Sequence, residues 1–268
     1  MKRKFFLHII LFLSAFLLLW FLLSQVNFRK TLRIEEGVNK LEKTLGSWSI
    51  KLFLEEYPKV ESKEVESYVN NLLEKIKHPQ SRWADETQLF ILESEQVNAF
   101  ALPNRKMIVF TGLLRFADKP EELAGVLAHE LAHIQEDHVM EKLIKEMGVT
   151  ALFTLISGEY SIRVIREVTR IISSTAYDRH LERKADELAV KYLMDAGIDP
   201  QPFLHLLTRL SDEHPDFPQE LQWVSTHPHP ENRVRYLQNL IEEKKEKGYQ
   251  PLNKNEWSSV INQLREPS

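Results

Sequence analysis

The run His129-Glu130-Leu131-Ala132-His133 carries the clearest chemistry in the chain. Helix positions four apart share a face, so His129 and His133 can offer two imidazole nitrogens to one metal ion. Glu130 stands beside the first of them and can reach a water on that ion. Small apolar residues flank the run, Leu123-Ala124-Gly125-Val126-Leu127-Ala128 before it and Ile134 after it. Two surface histidines four apart by accident would need no such flanks. The pattern is that of a zinc site that activates water. Such a site needs a third protein ligand and one open position. The chain has no Cys, which leaves His, Asp or Glu for that ligand. In Glu182-Arg183-Lys184-Ala185-Asp186 the two acids share a helical face. Glu182 can ligate, and Asp186 can accept the outer N–H of a ligand histidine and fix its tautomer. By spacing alone, a solvated charged face explains this pentapeptide equally well.

The elements that position these groups are legible in outline. Pro120-Glu121-Glu122 starts the two-histidine helix, with Pro early, acids in the first turn and a cap at Asp118 or Lys119. Residues 31–45 and 60–77 have apolar positions at helical spacing, such as Val65, Val69, Leu72, Leu73 and Ile76, and His78-Pro79 ends the second run. Residues 88–92, 98–102 and 106–110 are short, β-branched and aromatic, with a turn signal at Pro103-Asn104. They read as a small antiparallel sheet. From Pro120 onward the pattern is helical, broken at Gly148, Gly158, Gly197 and Pro200. Residues 149–157 are apolar but too short to span a bilayer; they suit a cleft wall or a membrane contact. The expected class is α+β, mainly α, in one body with no internal repeat.

Composition narrows the function. With 268 residues, 43% hydrophobic and 28% charged, the chain can bury a sizeable core. The absence of Cys excludes disulfide frameworks, thiolate metal sites and cysteine nucleophiles. A net charge of −4 without a basic stripe argues against nucleic acid as a partner. A Gly-x-Ser-x-Gly elbow and the glycine patterns of phosphate and dinucleotide loops are missing. Charge is also uneven. Residues 1–30 hold five of the 35 Lys and Arg and no acid, which leaves 30 bases against 39 acids, or −9, in residues 31–268. Residues 5–23 are apolar except for His8 and Ser14. That run exceeds a signal-peptide core of about 7–15 residues and lacks a small-residue cleavage site. It is expected to be a retained single-pass anchor, with residues 1–30 as anchor and 31–268 as the body. Basic residues on both sides nearly balance. The expected orientation puts the N-terminus inside and the body on the periplasmic or extracytoplasmic side.

His129-Glu130-x-x-His133 followed about fifty residues later by Glu182-x-x-x-Asp186 resembles the gluzincin metallopeptidases. Within them it resembles the family of the HtpX heat-shock protease, the CAAX prenyl endopeptidase, the periplasmic protease BepA and the mitochondrial inner-membrane stress protease. Asn98-Ala99-Phe100-Ala101-Leu102-Pro103 and Ile108-Val109-Phe110-Thr111-Gly112-Leu113-Leu114 are similar to the family's strand pair, and Ala196-Gly197-Ile198-Asp199-Pro200 follows as in the family. Thr226-His227-Pro228, with Arg233 after it, resembles its later His-Pro element. The likeness covers roughly residues 85–240 and is nearest the BepA-like branch, because the body lacks several membrane spans.

This resemblance implies a zincin-like domain with one Zn2+ per chain, held by His129, His133 and Glu182, with Glu130 as general base. It places His227 over the metal, as an aid to the transition state or a switchable fourth ligand. Asp186 becomes an outer support, Arg233 a partner of an acidic group in the site, and Asn98 an organiser of the loop before the edge strand. Lys106, Met107, Ile108, Val109 and Phe110 are expected to form the edge to which an extended polypeptide substrate adds as a strand. The implied activity is endoproteolysis of misfolded or damaged envelope or membrane proteins. Two alternatives stand beside it: a membrane-tethered chaperone or assembly factor with a latent or structural zinc site, and a metal-dependent hydrolase of non-peptide substrates. His138 falls off the ligand face and is expected to pack or form a hydrogen bond. His180, His205 and His214 read as surface or helix-end residues, and His229 competes with His227 for its assignment.

Overall fold

The computed structural model describes residues 34–77, 86–148, 152, 162–212, 222–228, 230–244 and 248–264. The expected anchor at residues 5–23 lies outside the described residues. So does the apolar stretch 149–157, apart from Leu152, which is buried. Among the described residues no helix is long and apolar enough to cross a membrane. The chain divides into two compact units, Met1–Leu41 and Glu42–Ser268. The described part of the first is the opening of helix α1 (Ile34–Glu56). The second unit carries His129, Glu130, His133, Glu182, Asp186, His227 and Arg233.

In that unit the rest of α1 buries Leu45, Ile50 and Phe53. Helix α2 (Lys63–Ile76) starts where the Ser62 hydroxyl accepts the Val65 N–H at 3.3 Å. Its buried stripe is Val65, Val69, Leu72, Leu73 and Ile76, at the expected helical spacing. Burying each of these side chains is worth about 1.5–3 kcal/mol, which decides the face that turns inward.

Three strands follow: β1 (Gln88–Leu92), β2 (Ala99–Leu102) and β3 (Lys106–Phe110). Asn104 and Arg105 both have positive φ, 59° and 57°, and with Pro103 they form the three-residue turn that closes a β-hairpin between Leu102 and Lys106. Hence β2 and β3 are antiparallel. The sheet as a whole is mixed, not antiparallel as expected, because β1 pairs with β3 in parallel and the order is β1-β3-β2. The cause lies in residues 93–98, which pass over the end of β3 instead of forming a tight turn. The Gly112 N–H donates to Ser94 O at 2.7 Å and the Phe110 N–H to Asn98 O at 3.1 Å, which holds the link there.

The same topology corrects the expected substrate edge. Lys106, Met107, Ile108, Val109 and Phe110 form the central strand, buried and paired on both sides, so no further strand can add there. The outer side of β1 meets residues 58–60 through a bridge between Lys59 and Leu92. The remaining edge belongs to β2.

Side chains alternate across the sheet. Phe100 and Phe110 share one face with Phe53 and Tyr57, whose rings approach Phe100 and Phe110 respectively to 4.9 Å. The other face presents Ala99 and Ala101, and these small residues leave room for helix α4 (Pro120–Gln135), which packs on β2. After β3 the chain forms α3 (Thr111–Phe116), then α4, whose residues from Pro120 through Ile134 are all buried. Helices α5 (His138–Met147), α6 (Ile162–Ser174), α7 (Arg179–Asp195), α8 (Gln201–Asp212), α9 (Gln222–Thr226), α10 (Pro230–Glu243) and α11 (Lys254–Gln263) complete the unit.

Helix α4 packs mainly on α7 and α8. Its first-turn acids anchor it: Glu121 accepts the Leu252 N–H at 2.7 Å, and Glu122 accepts the Asp118 N–H at 2.9 Å and meets His205 of α8 at 3.0 Å. Gly125 permits the close approach of α8, since a Cβ there would stand 2.3 Å from the Phe203 Cβ.

Candidate metal centre and active site

Helix α4 presents His129 and His133 one turn apart, and α7 presents Glu182 and Asp186 in its first two turns. Helix α9 delivers His227 at its end, and α10 delivers Arg233. His129 Nε2 and His133 Nε2 are 3.0 Å apart, and His129 Nε2 is 3.1 Å from His227 Nδ1. Glu182 Oε1 lies 2.9 Å from His227 Nδ1 and 3.4 Å from His133 Nε2. His129, His133, Glu182 and His227 each offer one donor atom within 4.8 Å of all the others.

The outer hydrogen bond of His129 fixes what its donor atom is. His129 Nδ1 sits 2.9 Å from Asp186 Oδ1. The carboxylate can only accept, so His129 is protonated on Nδ1 and its Nε2 carries a lone pair. His133 Nδ1 meets His138 Nδ1 at 3.0 Å. With the proton of that bond on His133, its Nε2 is a lone pair too. Two imidazole lone pairs 3.0 Å apart repel unless a cation lies between them. Ligands on a tetrahedral zinc at about 2.0–2.1 Å stand roughly 3.3 Å from one another, close to the spacing found here. The donor set therefore fits zinc.

Charges around the cluster are tightly compensated. Arg233 grips Asp186 with two bonds, Nε to Oδ2 at 2.8 Å and Nη2 to Oδ1 at 2.7 Å, and Tyr236 donates to the same carboxylate. Burial alone would raise the Asp186 pKa, but Arg233 and the His129 N–H outweigh it and hold it at about 2. Glu182 follows the same logic: burial opposes its charge, while His227 and Arg233 keep it well below the usual carboxylate range. Arg233 Nη1 lies 3.0 Å from Glu182 Oε2 as a charge partner, without hydrogen-bond alignment. Burial pushes His133 down to about 4. For His227 burial is again unfavourable to charge, but Glu182 and Glu130 prevail and raise it to about 9 in the absence of metal.

Glu130 points towards the sheet edge. Its Oε2 accepts the Ala101 N–H of β2 at 2.9 Å, and its Oε1 accepts the Trp223 indole N–H at 3.1 Å. His227 Nε2 is 3.3 Å from the same Oε1. Burial resists its ionisation, yet His227 beside it, with His133 and His129, draws its pKa down to about 2. It is thus a carboxylate at neutral pH, the form a general base requires. His129, Glu130, His133 and His227 have 0% relative exposure and Glu182 has 2%, so this form of the site is closed to a substrate.

All the expected ligand and supporting residues therefore gather here except Asn98 and the β3 residues. Asn98 orders the approach to β2 through its backbone, while its buried amide atoms have no partner among the described residues. Two further side chains escaped the sequence reading. Trp223 stacks on His227 at 4.6 Å and closes over Glu130; the four-residue spacing from Trp223 to His227 was its signal. Tyr177 stacks on His133 at 4.1 Å, and its N–H binds Thr226 O at 3.0 Å. Only its place five residues before Glu182 hinted at this. His138, expected to pack or form a hydrogen bond, is buried and bonds to His133. Asp118, Glu122 and His205 form a second group of acid and imidazole side chains. Arg209 pairs with Asp118 there, so that group ties α8 to the start of α4.

The sequence pattern of Peptidase family M48 matches residues 59–241. Among curated proteins, the chain is 23% identical to the beta-barrel assembly-enhancing protease of Yersinia pestis over 219 residues, 76% of this chain and 44% of the relative. It is 29% identical to the mitochondrial metalloendopeptidase OMA1 of Bos taurus over 170 residues, 57% of this chain and 32% of the relative. The human OMA1 metalloendopeptidase is 30% identical over 168 residues, again 57% of this chain and 32% of the relative. The chain thus spans less than half the length of these relatives. A family match that covers more than half of the chain, and that includes every donor of the buried cluster, makes the chain a member of Peptidase family M48, among the metallopeptidases.

Proposed function

We propose that this chain is a membrane-anchored zinc endopeptidase that cuts extended segments of misfolded or damaged envelope or membrane proteins. The observation that carries the reading is the buried set of four donors with the ionised Glu130 beside it, bonded to the outer side of β2. Residues 1–30 serve as the anchor and residues 31–268 as the peptidase body, on the extracytoplasmic side. His129, His133 and Glu182 hold the metal, and Asp186 and Arg233 keep His129 and Glu182 in their ionic and tautomeric forms.

Bound at these donors, zinc supplies Lewis-acid activation of water and of the scissile carbonyl. The substrate lies extended along β2, where the outward backbone groups of Ala99 and Ala101 are placed for strand addition. Glu130 takes the proton from the attacking water and passes it to the leaving amine. For that, its bonds to Ala101 and Trp223 must be exchanged for substrate and water. Segment 222–228 therefore moves aside, carrying His227 out of the fourth donor position. Once displaced, His227 can donate to the developing oxyanion.

The closed donor set also favours a second reading, a tethered chaperone or assembly factor with a latent zinc. A casein digest by the full chain in detergent separates the two. The peptidase reading expects cleavage that a zinc chelator stops and that Glu130→Gln abolishes. Absence of cleavage by a zinc-loaded chain, with the cellular role intact in Glu130→Gln, would overturn it in favour of the chaperone reading.

A further inference from the structure

We propose that His138 is a positioning residue of the metal centre. It accepts the Nδ1–H of His133 and so sets that ligand's tautomer and ring plane. The consequence for metal rests on the zinc reading above; the hydrogen bond itself does not.

On an uninterrupted helix, five positions carry a side chain about 140° round the axis, too far for His138 to reach His133. The backbone removes this obstacle. Helix α4 ends at Gln135, and Asp137 then takes the left-handed conformation, φ 56° and ψ 25°. Residues with a Cβ adopt that region seldom and at a cost, although Asp tolerates it better than most. The reversal returns His138, the first residue of α5, onto the last turn of α4. There the two rings stand edge-to-face at 5.0 Å, with Nδ1 to Nδ1 at 3.0 Å, both side chains buried.

The alternative direction of this bond has a clear consequence. A proton donated by His138 would leave His133 protonated on Nε2, 3.0 Å from His129 Nε2, at the centre of the donor set. No metal could then bind there. His138 as acceptor turns the lone pair of His133 inward. The two helix ligands are thus oriented by unlike partners: the Asp186 carboxylate, neutralised by Arg233, for His129, and an uncharged imidazole for His133. Tyr177, flat against the other side of the His133 ring, keeps it in that plane.

Two measurements test this. In the zinc-loaded full chain with 15N-labelled histidine, nitrogen–proton correlation spectra should show His133 protonated on Nδ1 and His138 on Nε2. A proton on Nδ1 of His138 would overturn the assignment, and this reading needs no substitution. Zinc affinity is then measured by competition with a chelating dye for His138→Leu and His138→Gln. The Leu variant should lose about 10- to 100-fold, and Gln, whose amide oxygen can accept, should recover most of it. Leu binding zinc like the parent, or Gln as weakly as Leu, would overturn the role. If the parent itself bound no zinc, the zinc reading and this role would fall together; a zinc-loaded parent with the other tautomer would overturn the role alone.

Discussion

Gly125→Ala is the most quantitative test of how α4 is held. The new Cβ would lie 2.3 Å from the Phe203 Cβ and 2.4 Å from its Cγ. Carbon atoms in contact prefer about 3.5–4.0 Å, so the gap must open by more than roughly 1 Å. Rotating Phe203 cannot provide this, because a Cβ does not move with χ1. Helix α8 must shift as a body. Two terms oppose each other. Ala is favoured over Gly in a helix by about 1 kcal/mol, and overpacking a core costs about 1–3 kcal/mol. The clash involves an atom fixed to the backbone, so the upper part of that range applies and a net loss of about 1–2 kcal/mol is expected. Gly125 is one turn before His129, and the Phe203 ring is 6.3 Å from the His129 ring, so zinc affinity should fall along with stability. Urea denaturation of metal-free and zinc-loaded protein measures both. An Ala variant more stable than the parent by about 1 kcal/mol would show that propensity outweighs packing and refute the reasoning.

Three further outcomes are expected. Asp186→Asn leaves the buried Arg233 without its bidentate partner and should cost about 3–5 kcal/mol by chemical denaturation; a loss under 1 kcal/mol would deny that the pair is buried and coupled. Trp223→Phe keeps the ring against His227 but removes the N–H from Glu130, and should cost about 1 kcal/mol in the closed, metal-free protein, with an unchanged urea midpoint as the contrary result. Metal-free protein should also lose stability as pH rises from 6.5 to 9. His227 is raised to about 9 in the folded chain. In that window the native state holds a proton that the unfolded state has released, so the slope is negative. The stabilisation is complete below 6.5 and gone once pH passes through 9. Urea midpoints at both pH values check the sign, with His227→Gln as the control that lacks this loss.

The shared faces of His129 with His133, and of Glu182 with Asp186, were legible because helical periodicity is a local property, but only the family likeness favoured Glu182 as a ligand over a solvated acid. His227 and Arg233 were accessible only through the likeness to a family, since nothing local tells a loop histidine where it will land. The sheet was misread for a related reason. The hairpin turn at Asn104 and Arg105 is encoded locally, but the choice of β1 to pair with β3 depends on where residues 93–98 pack. That choice made β3 central and left β2 as an outer strand. His138 shows the limit most clearly. Helical spacing put it off the ligand face with a packing or hydrogen-bonding role; the bond forms, but its partner, His133, follows from one left-handed residue, Asp137.

The account stands on one zinc bound by His129, His133 and Glu182, with His227 in the fourth place of the closed form. Metal analysis joined to X-ray absorption on the zinc-loaded full chain tests this directly. The predicted result is one zinc per chain, with three imidazole nitrogens and one carboxylate oxygen around it, falling to two nitrogens in His227→Ala. A folded chain that binds no zinc, or a zinc whose surroundings His227→Ala leaves unchanged, would contradict it.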